Sequence, residues 1–520
     1  MTLGTPPPVA DSTPRQWWQR RWFVAALVLI AAIPLLYPDV PPLVDLFGHM
    51  GRYRVQLDLG TSPYLHQFYE FQWAPIGNLG VDLLVQMLAP VVGLEPAVKL
   101  IVIAIPPLTV AGLLWVAHEV HHRLPPTALF ALPFAYSYPF LFGFTNFALA
   151  MALALLAFGF WLRMASRGQD ALRGLLFVPI SIVIFFTHAF GWGMLGLLCF
   201  SGEAVRQHDR GIGWFKAGWR AALNASVMLL PLAFMLLWRR GTSQQMTFGW
   251  FNWGRKWEWI YSALRDRVDW FDIGTLIVLG LVMLLAIVHR RLTLSRNLAF
   301  SALILIAAFV MLPWTIFGSA YADMRIMPYI MAIALIGIRF KGDTYLPLAR
   351  GLAVAGLSLF LVRIAGTTFS LAIAADAQAE RLRALDHVPL GSRLVHLSAI
   401  GCRDRWELPR DSHLGAMAIV RRHAFSNDQW AIEGANLLSV KFREAGHFVA
   451  DPSQIVRDPQ CTSLNNWTAD QAIGALPAVF DHAWLIDDPI HDPRLTASWQ
   501  LVWQGTGSLL YRLPRNKERP

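Results

Sequence analysis

The chain is dominated by a series of apolar runs, each about 16 to 20 residues long, as a helix that crosses a bilayer requires. Short loops that carry arginine and lysine separate the runs. The sequence is 55% hydrophobic and only 15% charged, and its mean hydropathy is +0.43. Because this composition is too apolar for a soluble protein, it predicts an α-helical polytopic membrane protein.

The positions of the basic residues predict the topology. A net charge of +10 would also suit a nucleic-acid binder, but basic loops between apolar runs are the positive-inside pattern of a membrane protein and indicate no nucleic-acid partner. Because basic residues stay on the cytoplasmic side, residues 1–21 are predicted to form a cytoplasmic tail. The segment 76–92 is apolar but short and interrupted by polar residues, so we expect it to lie in the interface, within a large first external loop, 38–96. About eleven transmembrane helices then fit within 22–370, one of them over 127–143.

The composition changes to that of a soluble domain at about residue 371. Short β-like runs occur at 393–398 and 483–486, and the end of the chain, 499–512, has the pattern of a hairpin around two glycines. We therefore expect a small extracytoplasmic α/β or α+β domain over 371–520.

The predicted topology places the protein in the cell (inner) membrane, with its C-terminal domain on the periplasmic or extracellular side. Cys402 and Cys461 both fall in that domain, and an oxidising compartment would allow them to form a disulfide. Sequence alone leaves this pairing open, because it does not show how close the two Cα atoms are.

The first external loop opens with a polar helical face in the stretch 38–58, which we expect to form a helix that starts at the Pro41/Pro42 pair. This face carries an acid, an imidazole, a guanidinium and an amide at i, i+4, i+7 and i+11, namely Asp45, His49, Arg52 and Gln56. The opposite face is mainly apolar, so we expect the helix to lie along the bilayer surface with that face in lipid. The alternative is the solvated face of an ordinary surface helix.

Other ionisable residues fall at the same predicted depth. Three lie near the outer ends of spans and one lies in the first external loop: His188, Asp323, Arg325 and Glu70. Charges at a membrane boundary often only extend toward water. The convergence of several such residues beside Asp45 favours a functional site.

The predicted organisation resembles that of the GT-C superfamily of membrane glycosyltransferases. It consists of one span, an external loop that opens with an acid on an amphipathic helix, an interfacial segment, a series of further spans separated by basic loops, and an external C-terminal domain. The segment 75–100, PIGNLGVDLLVQMLAPVVGLEPAVKL, is similar to the juxtamembrane helix and second-span entry of bacterial members that use lipid-linked sugars, including protein mannosyltransferase-like and aminoarabinose transferase-like enzymes. The resemblance covers most of residues 20–370. This chain has the single Asp45 where the family commonly has adjacent acids.

The resemblance implies inverting transfer of a sugar from a polyprenyl-phosphate donor to a lipid, glycan or protein acceptor at the external face, among membrane lipids. Asp45 would then be the general base, with His49 assisting. Arg52 and Arg325 would bind the leaving phosphate, because a guanidinium can hold two of its oxygens. Secondary contacts with the substrates are assigned to Glu70, Asp323 and His188. Because Asp45 is a single acid, the resemblance does not decide whether the reaction needs a divalent cation, Mg²⁺ or Mn²⁺. Glu70 and Asp323 are the candidate ligands of such a cation.

Two other functions stay open. A multi-span transporter would place paired charges or broken helices near the middle of the membrane, and few charges lie deep within the predicted spans. A non-catalytic envelope-assembly protein would use the terminal domain to bind partners. It would tolerate Asp45→Ala, whereas an enzyme would lose turnover and keep its fold.

Overall fold

The computed structural model describes residues 14–238, 246–402, 406–430, 436–461 and 465–514. The α-helices in these ranges are, in chain order, α1 Arg21–Ile30, α2 Leu46–Asp58, α3 Leu65–Phe68, α4 Gly80–Val92, α5 Leu94–His121, α6 Tyr138–Leu141, α7 Thr145–Ser166, α8 Asp170–Thr187, α9 Ala189–Asp209, α10 Trp214–Ala225, α11 Pro231–Trp238, α12 Trp253–Tyr261, α13 Asp269–Val288, α14 Arg296–Met311, α15 Met327–Ile336, α16 Leu346–Arg381, α17 Met417–Arg422, α18 Ala469–Gly474 and α19 Pro493–Thr496. The strands are β1 Tyr69–Phe71, β2 Leu292–Leu294, β3 Ile338–Phe340, β4 Leu394–Ile400, β5 Leu438–Val440, β6 Ile455–Arg457, β7 His482–Ile486, β8 Gln500–Gly505 and β9 Ser508–Arg512.

Five helices in the described ranges are long and apolar enough to cross a bilayer: α5, α7, α8, α13, and α16 with its 3-10 extension to His387. Large apolar side chains stay exposed along α13, including Leu281, Leu284 and Ile287. Such a surface suits contact with lipid, since a soluble protein rarely exposes a continuous apolar face of this kind. The fold is therefore that of a helical membrane protein, with fewer qualifying helices than the roughly eleven predicted spans.

Several predicted spans are short or broken. The segment 127–143, predicted as one span, is a buried 3-10 run over 126–136 followed by α6, because prolines in both pieces remove backbone donors that a continuous α-helix needs. Helices α1, α14 and α15 have 10, 16 and 10 residues. α4 has 13 residues, so it is about 20 Å long and shorter than the roughly 30 Å hydrocarbon core. That length agrees with a non-crossing segment at 76–92.

The first external loop is folded into the protein. α2 begins at Leu46, a few residues after the Pro41/Pro42 pair, and Asp45 occupies its N-cap position. Most of the apolar side of α2 is buried, as Phe47 and Met50 show, against α5, α17 and a 3-10 turn of the C-terminal domain. The prediction that this side faces lipid is therefore wrong. The terminal domain takes the place that lipid was expected to fill.

The first loop and the C-terminal domain also share a small sheet. β1 pairs antiparallel with β5, with Tyr69 opposite Val440. Val55 of α2 and Phe68 of α3 belong to the same buried apolar cluster as Phe425 of the terminal domain. These contacts fix the position of the loop against the domain.

A five-stranded mixed sheet forms the centre of the C-terminal domain, in the order β6-β4-β7-β9-β8. β6, β4 and β7 are parallel, and β9 runs antiparallel to both β7 and β8. The predicted strands at 393–398 and 483–486 correspond to β4 and β7, and the predicted hairpin is β8–β9, so the α/β or α+β prediction is confirmed. α16 continues to Arg381, so the predicted boundary at 370/371 lies inside a continuous helix.

A disulfide joins Cys402 to Cys461, whose Cα atoms are 5.2 Å apart. It links the segment that follows β4 to the segment that follows β6. The pairing that the sequence left open is therefore present in the structure.

Candidate functional site

A cavity of about 1040 Å³ opens between the helices of the membrane part and the C-terminal domain. Its polar walls come from α2, from the residues just before α15 and from the terminal domain. Its apolar walls come from α7, α9 and the end of α14. Along α9 the lining extends from Ala189 to Leu197, about 12 Å at the rise of an α-helix. The cavity is therefore polar beside the terminal domain and apolar between the helices.

The structure brings five of the seven predicted site residues to this cavity: Asp45, His49, Arg52, His188 and Arg325. They come from the first external loop, the start of α9 and the segment before α15. Nδ1 of His188 accepts a hydrogen bond from the backbone N–H of Phe190 across 3.1 Å. In a neutral ring, that bond leaves the N–H on Nε2 of His188.

A backbone hydrogen bond fixes the position of Asp45, and its carboxylate does not cap α2. The carboxylate makes no capping hydrogen bond to α2, whereas the backbone N–H of Asp45 donates to the carbonyl oxygen of Phe142 across 2.9 Å. Gly143 has φ +99°, and a Cβ there would lie 2.7 Å from the nitrogen of Asp45. Glycine is needed at this position both for its backbone conformation and for the close approach.

The C-terminal domain adds an imidazole and a second acid to the cavity, and the sequence analysis missed both. Nε2 of His413 lies 3.8 Å from Oδ1 of Asp45 and 3.7 Å from Oδ1 of Asp451. The amide of Gln454 donates a hydrogen bond of 2.7 Å to Oδ1 of Asp451 and orients it. Asp45, which has no adjacent acid in the sequence, therefore has one in space.

The environment of Asp45 suits proton transfer near neutral pH. Burial raises the pKa of Asp45 to about 7. The positive charges of His413 and Arg325 oppose this rise, and the negative charge of Asp451 adds to it. A carboxyl whose pKa lies near the working pH is an effective general base, because it is partly ionised and still binds a proton well.

Trp430 packs against two histidines in the polar part of the cavity. Its ring centroid is 4.9 Å from that of His49 and 4.7 Å from that of His413. Burial and then the charge of Arg52 lower the pKa of His49 well below its usual value, so His49 is neutral at physiological pH. Within the described ranges, its buried Nδ1 has no hydrogen-bond partner. The hydrogen-bonding capacity of this nitrogen is thus not used by the described residues.

Arg325 is a buried cation at the boundary between the polar and apolar walls, with 6% of its surface exposed. Its Nη1 donates to the hydroxyl of Ser319 across 3.1 Å. The guanidinium carbon lies 4.4 Å and 5.3 Å from the ring centroids of Phe144 and Phe190. No carboxylate of the described chain lies within 4 Å of this guanidinium. A buried guanidinium of this kind favours a bound anion.

Arg52 lines the same cavity, but its charge is already balanced. Its Nη2 lies 2.8 Å from Oδ1 of Asp82, and 4% and 0% of the two side chains are exposed. Asp82 also accepts a hydrogen bond of 2.9 Å from the amide of Asn146, which joins α2, α4 and α7. This ion pair fixes the position of α2, and the contact of Arg52 with a phosphate stays a prediction.

Two predicted site residues lie outside the cavity. Glu70 is on the outer face of β1, 63% exposed and 3.5 Å from Nζ of Lys441, because the alternation of the strand turns it away from buried Tyr69. Asp323 is fully buried and pairs with Lys256 across 3.1 Å. Neither position supports a contact with a molecule in the cavity.

One sequence pattern points to the contribution of the terminal domain to the cavity. A run of four polar residues, Ser426 to Gln429, lies between Phe425 and Trp430 and is almost completely buried. The amide of Gln429 donates to the carbonyl oxygen of Gly48 across 3.0 Å and so ties the run to α2. A polar run between aromatic residues indicates a buried hydrogen-bond network, but it does not identify His413 or Asp451.

Across the part of the chain that the structure describes, no group of three or more His, Cys, Asp or Glu residues is arranged to hold a metal ion. The divalent cation stays a prediction from the resemblance. No family model matches the chain, and no curated protein matches it. A function must therefore be argued from the chemistry of the cavity itself.

Proposed function

We propose that this protein is a membrane glycosyltransferase that moves a sugar from a polyprenyl-phosphate donor to an acceptor hydroxyl at the external face of the membrane. The observation that carries the proposal is that Asp45 and Arg325, far apart in the sequence, line one cavity with a polar and an apolar part. A sugar joined through phosphate to a long apolar chain likewise has a polar part and an apolar part. Shape and polarity of this kind favour such a ligand.

The polar residues suit the two charge changes of the reaction. The acceptor oxygen attacks the anomeric carbon while its proton passes to Asp45. The bond from that carbon to the phosphate oxygen breaks, and its electron pair stays on the phosphate, whose charge Arg325 offsets. A single displacement without a covalent intermediate inverts the anomeric centre.

The apolar walls suit the lipid part of the donor. The side chains that line this part are aromatic, thioether and aliphatic groups from α7 and α9: Phe147, Met151, Phe190, Met194 and Leu197. Methionine and aromatic side chains pack against flexible alkyl chains and adjust to them. Because Arg325 lies where the two parts meet, a phosphate there would let the isoprenoid chain extend along α9.

The disulfide supports the proposed orientation. Disulfides persist in oxidising compartments, and Cys402–Cys461 lies in the C-terminal domain that closes the cavity. That domain and the cavity would then face the periplasm or extracellular space, with the N-terminus in the cytoplasm and the spans in the inner membrane. The acceptor would be a lipid, a glycan or a protein of that compartment.

The phosphate site is tested by ligand binding to the full-length protein in nanodiscs. Undecaprenyl phosphate and undecaprenol share a lipid chain and differ in the phosphate, so we expect a larger rise in Tm with the phosphate. Arg325→Gln should abolish that difference. Arg296→Gln should keep it, because Arg296 is exposed and pairs with Asp209 outside the cavity. Equal stabilisation of the unmodified protein by both lipids would contradict the phosphate site.

The catalytic role is tested by turnover. A panel of polyprenyl-phosphate sugars is incubated with membranes that contain the unmodified protein, and sugar transfer to endogenous acceptors is measured. Asp45→Asn should lower transfer by about 10²- to 10⁴-fold, the usual contribution of a general base. Asp58→Asn, at the other end of α2 and paired with Arg54, should transfer normally. Full transfer by a folded Asp45→Asn variant would exclude this role and favour transport or envelope assembly.

A further inference from the structure

The two nitrogens of His413 have different surroundings, which fix its tautomer. Nδ1 lies 3.3 Å from the carbonyl oxygen of Asp428. Because a carbonyl oxygen can only accept a hydrogen bond, Nδ1 carries a proton. Nε2, the other ring nitrogen, faces Asp45 and Asp451 at 3.8 Å and 3.7 Å.

Three proton-accepting groups therefore meet in a buried place. If Nε2 were unprotonated, its lone pair would face two carboxylates that also repel each other, which is unfavourable away from water. A single proton held among the three groups reduces this repulsion. When the proton is on Nε2 it lies near both acids.

We infer that His413 shares a proton with Asp45 and Asp451 and thereby controls when Asp45 can accept a proton from a substrate. The C-terminal domain is then part of the reaction centre and not a separate module for binding partners. The proximity of the three groups, at ion-pair distances, is observed, whereas the role of the shared proton in catalysis rests on the proposed function. His413 acts through Asp45, so it is a positioning residue.

The proton balance of one turnover is as follows. When Asp45 is ionised and can act as a base, Nε2 is protonated and Asp451 is also ionised. The acceptor hydroxyl gives its proton to Asp45 as it attacks. His413 passes its own proton to Asp451 and takes the proton from Asp45. Asp451 has 19% of its side chain exposed against 12% for Asp45, so it releases the proton to water. One proton leaves for each sugar transferred, and Asp45 is ionised again.

The other ionisable groups near His413 do not replace this arrangement. His49 of α2 packs against Trp430, and because its pKa is lowered well below the usual value it is neutral. Arg325 acts on Asp45 from the membrane side of the cavity. The carboxylate of Asp428 is turned toward Nδ1 of His396, 2.9 Å away, so Asp428 meets His413 only through its carbonyl oxygen.

The inference is tested without a sugar donor. Dicyclohexylcarbodiimide adds to protonated carboxyl groups in apolar surroundings, so the extent of labelling of Asp45 at each pH, read by mass spectrometry, gives a midpoint for that residue. The full-length protein in nanodiscs is used. His413→Gln removes a positive charge and should raise the midpoint by roughly one to three pH units. Asp451→Asn removes a negative charge and should lower it.

His423→Gln is the matched control. His423 also belongs to the C-terminal domain, and its Nε2 lies 3.7 Å from Oδ2 of Asp58, but it does not line the cavity. Its replacement should leave the labelling midpoint of Asp45 unchanged. Opposite shifts in His413→Gln and Asp451→Asn support the shared proton.

An unchanged midpoint in folded His413→Gln, or shifts of both variants in the same direction, would overturn the inference. If His413→Gln does not fold, Asp451→Asn decides alone: a lower midpoint supports the shared proton and an unchanged midpoint overturns it. Because labelling needs no turnover, these outcomes are separate from a failure to transfer sugar, which would overturn the proposed function.

Discussion

Gly48 lies directly against the indole ring of Trp430, so closely that a Cβ at position 48 would come within 2.6 Å of the ring carbon Cη2. The same position also borders His413, whose Nδ1 would lie 3.3 Å from that Cβ. A helix of the first external loop and the terminal domain therefore meet with no space for even one methyl group. This contact holds the two histidines that flank Trp430 at their positions in the cavity.

Gly48→Ala should destabilise the contact by about 1–3 kcal/mol, because Trp430 must move to admit the methyl group. We expect a lower Tm and weaker sugar transfer. Gly60→Ala is the matched control, since no atom lies within 4 Å of the corresponding Cβ. An unchanged Tm in Gly48→Ala would show that the two segments are not held together at this point.

Asp45 should make the stability of the protein depend on pH. Its pKa is raised from 3.8 to about 7 in the folded state, so the folded protein keeps a proton that the unfolded chain releases. This contribution is fully present below about pH 4 and is lost as the pH rises to about 7. Asp45→Asn should therefore be more stable than the unmodified protein at pH 8, by up to roughly 4 kcal/mol.

The measurement is the Tm of both proteins between pH 4 and pH 8. The two values should converge toward the acid end of the range, and Asp58→Asn should show no such divergence. A constant difference between Asp45→Asn and the unmodified protein at every pH would mean that Asp45 does not titrate in this window.

The buried Arg52–Asp82 pair should contribute far more to folding than a partly exposed pair elsewhere on α2. Asp82→Asn leaves a buried guanidinium without its partner and should cost about 3–5 kcal/mol. Asp58→Asn breaks the partly exposed pair with Arg54 and should cost less than about 1 kcal/mol. Denaturant unfolding of both variants gives the comparison, and equal losses would contradict the structural role of Arg52.

The disulfide should stabilise the terminal domain. Cys402 and Cys461 are separated by 59 positions, and closing a loop of that length restricts the unfolded chain by about 4 kcal/mol. The double variant with serine at both positions should melt at a lower temperature and lose its sensitivity to reductant. Cys199→Ala is the control, because Cys199 is a free cysteine in α9. Reductant that leaves the unmodified protein's Tm unchanged would contradict the prediction.

Local patterns predicted much of the fold. Alternating apolar residues indicated β4, β7 and the β8–β9 hairpin, and uninterrupted apolar runs indicated long helices such as α5 and α13. The same apolar measure failed at 127–143, where prolines break the helix. It also failed for α2, because hydrophobicity alone does not distinguish a face buried in lipid from a face buried in protein.

Only part of the candidate site could be predicted from the sequence. Asp45 was predicted from the polar face of a helix in the first external loop, and Arg325 from its place near the outer end of a span. His413 and Asp451 were missed because they lie in irregular loops, where their approach to Asp45 depends on packing between distant parts of the chain. Asp82 seemed only to interrupt an apolar stretch. A buried ion pair appears in sequence as two unrelated charges, so the role of Arg52 could not be recognised.

The pairing of β1 with β5 has a consequence for how the chain matures. A ribosome completes β1 long before β5, so the first loop waits through most of the synthesis with an open strand edge. During that time His413, Trp430 and Asp451 do not yet exist, and the cavity has no wall on that side. Assembly of the cavity is thus delayed until the last quarter of the chain is made, and a chain that stops before residue 413 retains Asp45 without the domain residues that face it.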